Sequence, residues 1–441
     1  MASSSSSSSS PTSITSLPNG KAHASCSVCA EVERAAPDYF GRSFGSVARA
    51  LSMAEALADD LGFCEYHALY LTNAVIPAPP HVGRSYAVAI ERIEPLLHRS
   101  VVDERCQRLL FSATHRCPAC ATDEFIAGKL LGLLSHGWLQ DDPDVQATGA
   151  LCWQHGQALF KRLPLLVRGP VLQRYLEDWD AATQALTTPS AMSSVTEALA
   201  RLGVRPGWFS RMGSLQQPFP PRGLSDPDHC PICEALREAE QHWLCSLQWA
   251  TAHADSDCLW LFAPSCARHL AAAARVSSDH ALWEIALFAQ TGRGEQLRQQ
   301  LAAIVHELIQ AQERRPLWYR RRKRARPPAG RPAARRFVLR CQGCEAEAIA
   351  LERATARFIS LLRRDQGRQE LGLGHGLCLR HLAHVLPVAP LPNIRPLLSE
   401  LHATRLRTLH TALTQDPGCD TWHRAVYRFS GGRTSPQDGS P

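Results

Sequence analysis

Apolar residues recur along most of this chain at intervals of three and four, and they almost never alternate with a period of two. The first spacing lays an apolar stripe along a helix, whereas a half-buried strand needs alternation. EQLRQQLAAIVHELIQAQ shows the pattern, with Leu297, Leu301, Ile304, Val305, Leu308 and Ile309 at helical spacing. RSYAVAIERIEPLLH, VLQRYLEDWDAATQAL and IRPLLSELHATRLRTLHTAL read the same way. Such stripes suit partner helices or the core faces of a small bundle, and core faces are the expectation. The fold class is therefore all-α. With 441 residues, 45% of them hydrophobic, the chain has ample material for proper cores.

Four of the expected helices open on a cysteine and a histidine one turn apart: GFCEYH, ALCWQH, PSCARH and GLCLRH. Each is preceded by a CxxC. Cys26 and Cys29 come before Cys64 and His67, and Cys117 and Cys120 before Cys152 and His155. Cys230 and Cys233 come before Cys266 and His269, and Cys341 and Cys344 before Cys378 and His381. The second and third cysteines of these sets are separated by 34, 31, 32 and 33 residues. Sixteen cysteines and nineteen histidines placed at random would give roughly 0.6 CxxC and 0.7 CxxH pairs. Four of each, strictly alternating, is a repeat.

Three thiolates and one imidazole are the donors of a closed, tetrahedral structural zinc site. Two residues between ligands let both side chains reach one ion from a helix start, where the macrodipole favours the thiolate. A helix of about eighteen residues travels about 27 Å away, and the remaining residues suffice to return. EFIAGKLLGLLSHG followed by WLQDDPDVQATG, and CEALREAEQHWLCSLQWATAHA followed by DSDCLWLFAPS, fit that path. The expectation is four structural Zn2+ ions per chain, each bound within its own unit. Iron–sulfur ligation and redox disulfides are the lesser alternatives, and catalytic zinc normally keeps one position open. Cys106, Cys245, Cys258 and Cys419 lack partners at motif spacing and read as small core residues.

CPAC at 117–120 and CPIC at 230–233, a helix, and then GFCEYH, GALCWQH or GLCLRH together resemble a group of bacterial and archaeal proteins of unknown function. That group shares a CPxC…G-x-C-x2-H zinc-type domain. The closing CDTWHRAVYRFSGG is similar to the end of such a unit. CSVC and CQGC lack the proline, and APSCARH lacks the glycine two residues before its cysteine. The resemblance touches all four units and implies no activity.

The organisation expected is a Ser-rich tail at 1–22, units at 23–105 and 106–187, and a Pro/Gly-rich linker at 188–226. A unit at 227–312, an Arg-rich linker at 313–337, a unit at 338–430 and a tail at 431–441 follow. The four zinc-pinned units are expected to pack as two pairs joined by flexible linkers. Residues 314–336 carry eleven basic side chains and no acidic one, so the formal +7 of the chain becomes −4 without them. Trp318 beside Arg320, Arg321, Arg322, Lys323 and Arg324 suits phosphate neutralisation with base stacking. An anionic membrane surface would attract the same charges. A solvated linker is the favoured reading, since its Pro and Gly oppose a recognition helix.

Other motifs are thin. His306-Glu307 opens like a zincin helix, but Gln310 stands where the second histidine belongs. GRGEQ follows no strand and there is no Walker loop. His384, His402 and His410 read as surface or satisfied core. The start has neither a basic n-region nor an apolar h-region, and no stretch is apolar enough to span a membrane. The expectation is a cytoplasmic, non-enzymatic zinc-binding repeat protein acting as an interaction or scaffold module with a protein partner. A nucleic-acid-associated protein using 314–336 is the alternative, and a zinc-thiolate redox sensor is the third reading.

Overall fold

The computed structural model describes residues 26–73, 79–99, 103, 110, 116–146, 151–187, 192–204, 229–253, 259, 262–277, 279–313, 341–390, 393–415 and 419–431. Among them lie α-helices and one short 3-10 turn, Leu386–Val388, and no strand. The all-α expectation holds.

The first unit contributes α1 (Ser27–Phe44), α2 (Val47–Asp59), α3 (Glu65–Asn73) and α4 (Val82–Arg99). The second has α5 (Pro118–Leu139), the single turn α6 (Pro143–Gln146), α7 (Trp153–Arg162), α8 (Leu165–Leu186) and α9 (Met192–Arg201). The third has α10 (Pro231–Ala252), α11 (Ala267–Val276) and α12 (Asp279–Glu313). The fourth has α13 (Gln342–Leu362), α14 (Asp365–Leu373), α15 (Leu379–Val385), α16 (Ile394–Gln415) and α17 (Cys419–Ser430).

Helix starts follow the motif. The first turn of α1, α3, α5, α7, α10, α11, α13 and α15 closes on a cysteine carbonyl, as when the Ala30 N–H donates to Cys26 O at 2.9 Å and Leu382 N–H to Cys378 O at 2.8 Å. Pro118 and Pro231 occupy the first helical position, where a missing N–H costs nothing and the fixed φ is already helical.

The units do not have a core each. One core joins the first and fourth: Phe40, Phe44, Leu57, Tyr86, Ile90 and Ile93 pack with Phe358, Leu382, Leu398, Leu406 and Phe429. The other joins the second and third: Leu172, Leu176, Trp179 and Leu199 pack with Leu247, Leu270, Ile285 and Leu297. The pairings of α4 with α16 and of α8 with α12 build these cores. Helices α1, α5 and α10 have members in both cores, and α13 runs from His269, which its Gly343 meets, to the first core. Val28 of α1 lies in the second core while Phe44 lies in the first, and Ala119 and Leu134 of α5 run the opposite way. The contacts of α1 with α5, and of α10 with α13, then tie the first unit to the second and the third to the fourth. Pairing is therefore present, but each unit has one neighbour through its long helix and another through its core.

Three expectations need correction here. α9 falls inside the stretch read as the 188–226 linker. Its Val195, Ala198 and Leu199 are buried, as is Leu202 just after it, and Gly203, at φ 93°, ends the turn with the Val204 N–H on Leu199 O. The apolar stripe of α12 is also narrower than its sequence implies. Leu297 and Ile304 are buried, but Val305 and Ile309 are 46% and 49% exposed. The tails at 1–22 and 432–441, the remaining linker positions, and Trp318 with Arg320 to Arg324 lie outside the described residues. So do Cys106 and Cys258, and nothing is described of the Cys419 side chain. Cys245, read as core, is exposed.

Candidate metal centres

The sixteen motif residues converge into four clusters, but not within units. Cys26 and Cys29 meet Cys152 and His155, while Cys64 and His67 meet Cys117 and Cys120. Cys230 and Cys233 meet Cys378 and His381, while Cys266 and His269 meet Cys341 and Cys344. Each CxxC thus shares its site with the CxxH of the neighbouring unit, which overturns the within-unit assignment.

The reason is the length of the first helix in each unit. Phe40 packs against His67 with ring centroids 6.3 Å apart. Cys29 lies three turns earlier on the same helix, about 16 Å away at 1.5 Å per residue. His67 therefore cannot share an ion with Cys29. In the third unit Trp243, nearly three turns beyond Cys233, packs edge-on at 4.9 Å against His269. The chain returns to the far end of its own helix, where the start of the partner helix lies. α1 and α5 are thus antiparallel and clasped at both ends, as are α10 and α13.

Within each cluster all three sulfurs approach Nδ1 of the histidine, at 3.2–3.5 Å. Neighbouring sulfurs lie 3.6–3.8 Å apart. A tetrahedral zinc with Zn–S of about 2.3 Å and Zn–N of about 2.05 Å sets these separations at about 3.6 Å and 3.8 Å. The donors fit. A disulfide would hold its sulfurs at about 2.05 Å, and the cysteines of all four sets are free.

The electrostatics suit a site that could hold a cation. Cys26 and Cys117 are held far below the usual thiol range, Cys26 chiefly by hydrogen bonds from Cys152 and Cys29. For Cys117, hydrogen bonds from Cys120, Cys64 and His67 overcome burial. Their neighbours are pushed the other way. Hydrogen bonds to Cys152 and Cys117 respectively, with burial and thiolate repulsion behind them, drive Cys29 and Cys120 far above that range. Three thiolates this close can coexist only around a positive ion. The helix N-termini that converge on each site add favourable potential.

Since Nδ1 faces the sulfurs, Nε2 is left to fix each ring. Asp123 Oδ2 lies 3.3 Å from Nε2 of His67. Glu347 Oε1 and Glu240 Oε1 lie 3.7 Å and 4.0 Å from Nε2 of His269. Such carboxylates orient an imidazole ligand and raise its basicity. Asp123 and Glu347 each follow the second cysteine of their CxxC by three residues, in CPACATD and CQGCEAE. That shared offset was available in the sequence and was missed; the other two sets carry Val32 and Leu236 there.

The loops entering the CxxH helices are also fixed. Gly62 and Gly376, two residues before Cys64 and Cys378, take φ of 94° and 77°, which a side chain would resist. Arg405 and Arg428 donate to the His375 carbonyl, and Arg428 also to that of Leu377. At the glycine-less third site, Arg293 donates to the carbonyls of Pro264 and Ser265 instead. Elsewhere, His402 is buried and bonded, His410 pairs with Glu91 at the surface, and Gln310 donates to His306.

No family model, curated protein or solved structure matches the chain.

Proposed function

We propose that the protein is a non-enzymatic zinc-binding repeat protein, acting as an interaction or scaffold module whose four zinc ions are structural. The observation that carries this reading is that each cluster offers four protein donors and joins helices of two units. A site closed in that way suits a staple better than a reaction centre. Thiolate and imidazole donors in tetrahedral array favour zinc over harder cations. The resemblance to the CPxC…G-x-C-x2-H domain agrees with it, and a reducing, cytoplasmic setting would keep the thiols free. No helix among the described residues is long and apolar enough to cross a membrane.

Elemental analysis of reconstituted protein is expected to give four zinc ions per chain, and chelation is expected to collapse its helicity. Two or fewer ions, or helicity that survives full chelation, overturns the structural role. A scaffold also predicts a stoichiometric partner on native purification, lost when zinc is removed.

A second reading rests on the eleven cations of 314–336. If these bind nucleic acid, log–log salt dependence should have a slope of about −3 to −5. Replacing Arg320, Arg321, Arg322, Lys323 and Arg324 by Ala should abolish most binding without changing zinc content. Absence of retention on DNA or RNA at low salt sinks it.

A further inference from the structure

The four sites are not equally sealed. In the site of Cys26, Cys29, Cys152 and His155 every cysteine is buried, as in that of Cys230, Cys233, Cys378 and His381. The latter is covered by Gly431, whose backbone lies so close that a Cβ there would be 2.8 Å from Cys378 Sγ. The site of Cys64, His67, Cys117 and Cys120 is looser, with Cys64 and Cys120 half-buried. The site of Cys266, His269, Cys341 and Cys344 is the most open: Cys266 is half-buried and Cys344 exposed. The two accessible sulfurs of that last site are also neighbours, 3.7 Å apart across the third and fourth units. Beside them, Arg268 on the site's own helix places a guanidinium against Glu347.

We propose that Cys344 and Cys266 form an oxidation site, at which a hydroperoxide converts the most exposed zinc centre into an interunit disulfide. The proposal rests on the zinc reading above. Accessible thiolates are the ones that oxidants reach, whereas buried ones are inert. The Cys344 thiolate attacks the peroxide: an S–O bond forms, the O–O bond breaks, and the departing alkoxide or hydroxide takes a proton from water. The Cys266 thiolate then displaces hydroxide from the sulfenic sulfur and closes the S–S bond. Two thiolates have lost two electrons and the hydroperoxide has gained them. Zinc, left with Cys341 and His269, departs as the aqueous ion. The new bond spans the units that the ion had joined, so the covalent tie replaces the metal tie and the α11–α13 junction persists. Reductant and zinc together reverse the change.

The test uses the full zinc-loaded chain. Total zinc is first counted by denaturation into a metallochromic chelator, where fewer than four ions would count against the function proposed above and not against the order of oxidation. Hydrogen peroxide is then added in small increments, released zinc is read optically, and disulfides are mapped by mass spectrometry. The expected result is one zinc per chain released first, together with a Cys266–Cys344 bond, while Cys26, Cys29, Cys152, Cys230, Cys233 and Cys378 stay reduced. Dithiothreitol with zinc should restore the original count. Cys245, exposed and outside every set, reports bulk oxidation that frees no zinc. First release from any other site, simultaneous release from several, or a Cys341–Cys344 bond in place of Cys266–Cys344 overturns the proposal. In Cys266→Ser the sulfenic acid should persist on Cys344 and be trapped by a dimedone probe; labelling elsewhere overturns it equally.

Discussion

Gly343 offers a sharp test of how tightly one metal site is packed. It lies in the first turn of α13, between Cys341 and Cys344, where any residue can take helical angles. A Cβ placed on it would stand 2.4 Å from Cδ2 of His269 and 2.6 Å from its Nε2. The ring cannot give way freely. Its Nδ1 faces three sulfurs at 3.2–3.5 Å, Trp243 lies edge-on at 4.9 Å, and Glu347 faces Nε2. Gly→Ala inside an unobstructed helix stabilises by about 0.5–1 kcal/mol. Forcing a methyl group into a packed contact costs about 1–3 kcal/mol. The clash should win on balance, giving a net loss of about 1 kcal/mol within a range of roughly 0 to 2.5. If the ring turns aside instead, zinc affinity at this one site should drop by about 10–100-fold, the usual cost of disturbing a ligand's support.

Gly132 in α5 supplies the control, because a Cβ there meets nothing within 4 Å. Gly132→Ala is expected to be stabilising and Gly343→Ala destabilising. Urea unfolding with zinc in excess, and chelator competition on the folded protein, read the two effects. The argument fails if both variants gain about 0.5–1 kcal/mol and retain zinc equally.

Three further outcomes follow from the geometry. Cys29→Ser should remove one zinc ion and open Cys152, not Cys64, to alkylation; the reverse labelling would restore a within-unit arrangement. Asp123→Asn should weaken zinc at the His67 site alone by about 10–100-fold, since the carboxylate 3.3 Å from Nε2 would lose its charge; equal affinity would show that it does not support the ring. Burial, with Arg428 nearby, pushes His402 down to about 3, and its Nε2 accepts from the Leu377 N–H. Its folded pKa thus lies below the unfolded value of about 6.5, so the unfolded chain binds more protons and stability falls as pH drops from about 6.5 towards 3. Wild type should lose about 1 kcal/mol more than His402→Gln between pH 7.5 and 5.5, as read by urea midpoints at each pH; parallel curves would refute the assignment.

Helical periodicity was enough to read α4, α8, α10, α12 and α16 from the chain, because long amphipathic segments carry their own signal. The ligands were legible for a different reason: sulfur and imidazole at two-residue spacing have few other uses. α9 was hidden by neighbours rich in Pro and Gly, although Ala198, Leu199 and Leu202 already had helical spacing. The sharing of ligands was not legible from spacing at all. A gap of 31 to 34 residues allows the chain to return either to its own CxxC or to the far end of its own helix. Packing chooses between them, when Phe40 and Trp243 hold His67 and His269 about three turns from the cysteines of their own units. That choice changes what the metal does. An ion held within a unit would stabilise that unit alone and leave its neighbour to fold or fail separately. Exchanged ligands would make any bound ion a bond between two units, and each core receives one cluster from either half of the chain. Loss of one ion should therefore loosen two units at once, and the melting of any metal-free variant should be shared across the pair.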